Sequence, residues 1–596
     1  MARNGPLSPR LLVLLALVLP DAATAQVLSH QKISSTEGGF TGGLDDGDNF
    51  GRSLASPGDL DGDGNPELAV GALLDDDGGS DRGAVWILFL APDGTVQSHQ
   101  KISSTSGGFT GMLDDNDRFG VSLASAGDLD GNGTGDLLAG AFLDDDGGMS
   151  RGAVWILLLD TDGTVLSHRK ISDTEGGFGG TLFDVDGFGR SVTCLGDVDG
   201  NGVVDLAVGA PGTDDGGPSR GAVWILFLDT DLSVLGEQKI SSIAGDFTGA
   251  IGDNDEFGVA AAGLGDLDGD GTPDVAVAAP GNDDGGVRRG AVWILFLHPD
   301  GRVKSHRKIS DTQGGFAGEL DDLDLFGVSL AADGDLDGDG VVDLAAGARR
   351  DDDGGLDVGA GWLLFLRTDG TVKAYQKISG IDGGFTGALD DEDELGSAAG
   401  CIGDLDGDGL PDLALGAKSD DDGGSDRGAV WMLFLDTPCF NGTVNAGAGP
   451  VTDVLRVNGE SGTVCLPVST AITVTQMSAP MGPAQGRYVT WVWPVPPRRS
   501  SSLTIGPGAL GCFVNPTPLH AGGPQPFRCL RGSLPGLVCA GVPELPAPAS
   551  TTPWSATKAS GLSIPMTLSL QGLVEDAGSA HASGFSVTNA VVLKVE

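Results

Sequence analysis

The chemistry-bearing residues of this chain are carboxylates at short, fixed spacing. In Asp59-Leu60-Asp61-Gly62-Asp63-Gly64-Asn65-Pro66-Glu67, acids fall at positions 1, 3, 5 and 9, with glycine at position 6. A hard cation such as Ca²⁺ takes six to eight oxygens, and alternate residues of a tight loop converge on one point. Position 7, Asn65, adds its backbone carbonyl, and Gly64 allows the sharp turn. Five more loops repeat the pattern. They supply Asp128, Asp130, Asn132 and Asp136 with the Thr134 carbonyl, then Asp197, Asp199, Asn201 and Asp205 with Val203. Asp266, Asp268, Asp270 and Asp274 follow with Thr272, then Asp335, Asp337, Asp339 and Asp343 with Val341. The last set is Asp404, Asp406, Asp408 and Asp412 with Leu410. Asn at position 5 keeps an oxygen ligand and removes one charge. A single loop of this kind is weak evidence for a metal, because a solvated Asp/Gly turn needs none. Six in register predict about six structural Ca²⁺ ions, each neutralising crowded acids and rigidifying a loop.

The elements that position these loops repeat with a period of 69 residues. Lys32, Lys101, Lys170, Lys239, Lys308 and Lys377 are spaced by it, as are Trp86, Trp155, Trp224, Trp293, Trp362 and Trp431. Each copy reads as four short strands, in the first copy 50–55, 67–72, 84–90 and 96–102. The segment 84–90 is apolar on both faces and must be covered on both sides. Four-stranded blades packed face to face in a ring provide that cover. The repeat region opens with a lone fourth strand, 27–33, and ends on a third strand, 429–435. An all-β, six-bladed β-propeller closed by the N-terminal strand follows, and closure removes exposed sheet edges. No helices flank the acidic loops, so they are not EF-hands.

In the third copy, Phe188-Gly189, the loop 197–205 and Gly209-Ala210-Pro211 resemble an FG-GAP repeat, the unit of the integrin alpha-subunit propeller. The resemblance covers about residues 27–436. It implies calcium loops on a lower face and ligand binding on the upper one. Six copies stand where integrins have seven, and the Gly-Ala-Pro tripeptide is complete only in the third. The resemblance therefore carries over the fold and the calcium sites, not integrin function.

Two further acidic clusters recur, one before each first strand (Asp45-Asp46-Gly47-Asp48) and one after each second strand (Asp75-Asp76-Asp77). Alternating strand direction puts both on the face opposite the calcium loops. Phe183 and Thr213 replace the first acid of each cluster in the third copy, and Gly252 and Asn282 do so in the fourth. This joint loss suggests that the clusters meet and share a cation, giving additional cations on the opposite face. A hydrated acidic rim, with the loss inherited by duplicated copies, is the plainer reading. Arg82, Arg151, Arg220, Arg289 and Arg427 follow the second cluster as internal counter-charges, and Val358 interrupts the series.

No catalytic constellation emerges. His30, His99, His168 and His306 share one repeat position with Glu237 and Tyr375, which marks a strand surface rather than a base. Gly148-Met149-Ser150-Arg151-Gly152 and Gly217-Pro218-Ser219-Arg220-Gly221 match a nucleophile-elbow pattern, but a turn between two strands is the wrong context. Cys194 and Cys401 share one repeat position three blades apart, too far across the ring for a disulfide.

Of 596 residues, 101 are Gly and 31 Pro, which excludes long helices; the apolar fraction of 40% excludes disorder. The net charge of −50 argues against nucleic acid and anionic membranes as partners. Arg3 and Arg10, the apolar run 11–19 and Ala23-Thr24-Ala25 read as a secretory signal over residues 1–25. No later segment reaches membrane-spanning length. Residues 437–596 lack the repeat, carry five of the seven cysteines and read as a β-sandwich-like C-terminal domain. The expectation is a secreted or cell-surface monomer, a calcium-binding module for an extracellular protein or carbohydrate ligand. A hydrolase or lyase at the calcium-rich face, and a structural matrix protein, are the alternatives.

Overall fold

The computed structural model describes residues 26–436, apart from residue 333, and beyond them the backbone of short strands. The chain divides into two compact units, Met1–Pro438 and Cys439–Glu596. Every regular element described is a strand.

The first unit is a six-bladed propeller of four-stranded antiparallel sheets. The first blade comprises β2 (Phe50–Gly58), β3 (Glu67–Ala72), β4 (Ala84–Leu90) and β5 (Val96–Ile102), in that order. The sixth is completed by β1 (Gln26–Ile33), which pairs with Ala429–Asp436 from Gln26 opposite Asp436 to Ile33 opposite Val430. The ring closes as the lone terminal strands require. The first strand outruns its expected end at residue 55 and reaches Gly58, because β-bulges keep it paired to Glu67.

The first strands of successive blades contact one another around the axis. The second strands are buried along their whole length and the third strands nearly so, as β3 and β4 show. Their two faces join different cores: Val85 and Ile87 pack with Leu137 and Leu157 of the next blade, whereas Trp86 and Leu88 pack with Val430 and Met432 of the preceding one. That is why the third strand cannot alternate apolar and polar residues.

The Phe-Gly pair is an interblade joint. Phe188 is fully buried. Gly189 has φ +88°, and a Cβ there would lie 2.2 Å from the Ala153 carbonyl of the preceding blade. A Cβ on Gly209 would stand 1.9 Å from the Gly258 carbonyl of the following blade. Only glycine tolerates both approaches.

In the second unit the described strands form a two-stranded pair, Arg456–Val457 with Glu460–Ser461, and a six-stranded antiparallel sheet ordered Phe527–Arg531, Leu510–Val514, Ser501–Gly506, Val489–Trp493, Met566–Glu575, Phe585–Val595. The expected sandwich and the pairing of its five cysteines, like the signal segment 1–25, lie outside the described residues.

Candidate metal centres and the two propeller faces

The six acidic loops all join the first and second strands of their blades and emerge on one face. One oxygen from each of Asp59, Asp61, Asp63 and Glu67 lies within 4.8 Å of the others. The same holds for Asp128, Asp130 and Asp136, for Asp197, Asp199 and Asp205, for Asp266, Asp268 and Asp274, and for Asp335, Asp337 and Asp339. Oxygens on opposite sides of one Ca²⁺ stand about 5 Å apart, so the spacing suits that ion. The loops are held in shape by their own first acid. Gly62 N–H donates to Asp59 Oδ1 at 2.8 Å and Gly64 N–H to Asp59 Oδ2 at 3.0 Å. Gly133, Gly202, Gly271, Gly340 and Gly409 repeat the second bond.

The acid at position 9 begins the second strand and is buried in every blade. Asp205 accepts from Val198 N–H at 2.8 Å and from Leu228 N–H at 3.0 Å, tying the loop to the end of the third strand. Burial, with neighbouring loop acids adding to it, pushes Glu67 up to about 7 and Asp205 up to about 6. Asp136 and Asp274 rise likewise to about 6, and Asp343 and Asp412 to about 7. These oxygens would hold a hard divalent cation, with the position-9 carboxylate as its deepest ligand.

Two of the loops are furnished differently, which the spacing of acids alone did not reveal. Lys304, on the fourth strand of blade four, places Nζ 2.6 Å from Asp268 and 2.5 Å from Asp270. Lys373 of blade five pairs with Asp337 at 2.8 Å and also with Asp339. The other copies carry Leu28, Gln97, Leu166 and Leu235 at this position. The signal was a lysine at one repeat position in two copies.

On the opposite face the two acidic clusters do meet. Asp48 and Asp75 are both buried and repel each other, and burial first, then that repulsion, takes Asp48 up to about 7. The cation beside them is the chain's own. Lys101 Nζ lies 2.6 Å from Asp75 and 2.9 Å from Asp77, over the Trp86 ring at 5.2 Å. Lys32 and Lys170 bridge Asp420 with Asp422 and Asp144 with Asp146. Lys377 does the same for Asp351 and Asp353. Where Asn282 replaces the acid, Lys308 takes Asp284 and the Asn282 carbonyl oxygen, and Asn282 Nδ2 donates to Asp255. The invariant lysine of the repeat is therefore a counter-ion.

The arginines link blades. Arg82 reaches Asp115 of the next blade at 2.9 Å, and Arg427 closes the circle on Asp46 at 2.8 Å. Arg151, Arg220 and Arg289 pair in the same way with Asp184, Asp253 and Asp322. At Val358 the pair is missing, and Asp391 instead accepts Leu356 N–H at 2.9 Å. The histidines stand on the strand surface as expected: His99 packs on Phe40 and Trp86 and shares a hydrogen bond with Thr41 at 3.1 Å. Ser150 and Ser219 sit in turns between strands, and Cys194 and Cys401 are not bridged.

The family profile described as FG-GAP repeat matches residues 50–88, 188–226, 257–295 and 398–433. The propeller thus contains FG-GAP repeats and is integrin alpha-like. Integrin alpha-4 of Xenopus laevis is 35% identical over 162 residues, 27% of this chain and 14% of the relative. Integrin alpha-5 of the same species is 43% identical over 100 residues, 17% and 9% of the two chains. Integrin alpha-PS2 of Drosophila melanogaster is 34% identical over 173 residues, 28% and 12%. The match thus spans under a fifth of each of these relatives. Among the described residues no helix is long and apolar enough to cross a membrane.

Proposed function

We propose that this protein is an extracellular, calcium-stabilised binding module of the adhesion type, not an enzyme, which meets a protein or carbohydrate ligand with the propeller face opposite its calcium loops. One observation carries the reading. The lower face repeats the same acidic loop six times, as a scaffold does, whereas the upper end of the axis carries side chains that break the repeat, among them Arg190, Arg288 and Arg349. Rigid frames carrying variable loops are a common design for recognition. The likeness to integrin alpha subunits supports it, as does the secretory signal read in residues 1–25. About six Ca²⁺ ions per monomer complete the picture, with the thirty loop positions named above as ligands.

Binding of the purified protein to a glycan and matrix-protein array, with Ca²⁺ and with EDTA, tests this. A ligand retained with Ca²⁺ and lost with EDTA is expected. Equal binding in both conditions, or none, overturns the reading.

A further inference from the structure

This acidic propeller gathers five arginines near its axis, Arg52, Arg118, Arg190, Arg288 and Arg349. At the upper end of the axis a cavity of about 300 Å³ is lined by Arg190, Arg288 and Arg349, with Phe142 in its wall. Arg52 lines the channel that continues below it, sharing Arg190 with the cavity. Arg118 and Arg190 both stack on the Phe142 ring, at 5.8 and 5.7 Å. The acids nearby are too few. Glu394 is shared by Arg349 at 2.8 Å and Lys418 at 2.5 Å, and Glu256 meets Arg288 at 3.4 Å. Asp186, also in the lining, is not in ion-pair contact with any of the five arginines among the described residues. Arg52, Arg118 and Arg190 have no carboxylate within ion-pair distance among the described residues. The Nε atoms of Arg118, Arg288 and Arg349 are buried without a hydrogen-bond partner.

Such an arrangement is costly to a folded chain. Burial, then the repulsion of Arg349, draws Arg190 down to about 10, and burial with the charges of Arg190 and Arg349 draws Arg52 well below its ordinary value. Half-buried guanidinium groups lacking partners destabilise a protein unless something else supplies the charge. The residues are also not repeat features. Arg190 shares its repeat position with Arg52, but the other copies have Val121, Val259, Val328 and Ser397 there, and Arg349 shares its position with Lys418 where the others have Leu73, Phe142, Pro211 and Pro280. The fold does not need arginine at these positions.

We propose that the axial pocket binds the carboxylate of an acidic side chain presented by a protein ligand on an otherwise basic segment. The forked donors of arginine match a carboxylate in pairs. The volume admits one side chain rather than a folded element. The carrier follows from the surroundings: the propeller around the pocket is strongly acidic, so a polyanion such as a sulfated glycan is repelled everywhere except at this point. A lone acid among basic residues is attracted both by the pocket and by its rim. The inference rests on the upper face being the binding face, but anion capture is measurable with short peptides even where the array finds no ligand, so the two readings fail separately.

The test uses the full Ca²⁺-loaded protein in calorimetric titration at constant ionic strength. One probe is a C-terminally amidated five-residue peptide with one glutamate among four lysines. The second replaces that glutamate by glutamine, and the third is a sulfated disaccharide. Saturable binding of the glutamate peptide, at least tenfold tighter than either other probe, is expected. Arg190→Gln should abolish this preference while leaving Ca²⁺ stoichiometry unchanged, and should not lower the melting temperature in the absence of peptide. Arg288→Gln, at the rim, should weaken it severalfold and serves if Arg190→Gln fails to fold. Equal affinity for both peptides, tighter binding of the sulfated disaccharide, or an unchanged preference in the folded variants overturns the proposal.

Discussion

The two faces of the propeller carry comparable crowds of acids, and they resolve the crowding in opposite ways. On the upper face the chain answers its own carboxylates. Lys101 and its five equivalents stand among the clusters, and Arg82 and its equivalents tie them to the next blade. On the lower face the loops of the first three blades receive no lysine or arginine partner among the described residues. The position-9 acids there are buried, accept only backbone N–H groups and are pushed upward by their own neighbours. A charge crowd that a protein neutralises internally is architecture, whereas one it leaves open is a demand for an external cation. The same residue type, aspartate, thus has two meanings here, set by whether a basic side chain reaches it.

The largest consequence of this contrast is thermal. Each ion bound at about a thousandfold above its dissociation constant adds about 4 kcal/mol to the folded state. EDTA should therefore lower the melting temperature by ~10 °C or more in scanning calorimetry, with recovery on adding Ca²⁺. A melting temperature indifferent to EDTA would erase the distinction between the faces.

A sharper cut runs within the lower face. Calcium entering the loops of blades four and five must first displace Lys304 and Lys373. Calorimetric titration should separate two weaker sites, those of blades four and five, from the tighter sites of the first three blades, differing by about tenfold, or ~1.4 kcal/mol. The double variant Lys304→Met and Lys373→Met should merge the two classes by strengthening the weak pair. A single class in the unaltered protein, or no change in the variant, would show that these lysines step aside at no cost.

How much of this the sequence disclosed depends on distance. The ring, its closure by strand β1 and the six loops are readable because the 69-residue period has no insertion, so that register alone aligns Asp59 with Asp404. Lys304 is read only once packing is known, since its partners lie 34 and 36 residues earlier in the acidic loop of the blade. The repeat lysine marks the period plainly in sequence, yet its role appears only when Lys101 is seen between Asp75 and Asp77. The arginine pocket is least legible of all. Arg52, Arg118, Arg190, Arg288 and Arg349 occupy several repeat positions on different blades, and only the closed ring brings them to one axis.

The upper face makes a smaller prediction about pH. Asp48, Asp117, Asp324 and Asp393 are buried and held at about 7 in the fold, against an ordinary value of 3.8. The folded state thus holds extra protons between roughly pH 4 and 7, and their contribution to stability declines as pH rises through that window. Asp48→Asn keeps an acceptor for the Asp45 N–H, 2.8 Å away, and removes the charge. It should gain on the order of 1 kcal/mol over the parent at pH 8, and nothing at pH 4, by denaturant titration. A loss at pH 8 would mean that the charge on Asp48 is needed by the fold, and the upper face would no longer count as self-neutralised.

The smallest effect is expected where the interblade arginine is already missing. Val358 stands in blade five where Arg82, Arg151, Arg220, Arg289 and Arg427 stand elsewhere, and Asp391 waits opposite with a backbone N–H as its partner. Val358→Arg should let the guanidinium reach Asp391 as Arg427 reaches Asp46. In the existing pairs the acid is more than half exposed, 63% for Asp46. Exposed pairs contribute less than about 1 kcal/mol and weaken with salt. Val358 is itself buried, so the variant also gives up apolar packing, and the pair must be isolated by a double-mutant cycle with Asp391→Asn. A coupling energy of a few tenths of a kcal/mol that vanishes at 1 M salt is expected. Coupling well above 1 kcal/mol would show that the blades are joined by their ion pairs as much as by the apolar cores, and the upper face would carry more of the fold than the buried third strands imply.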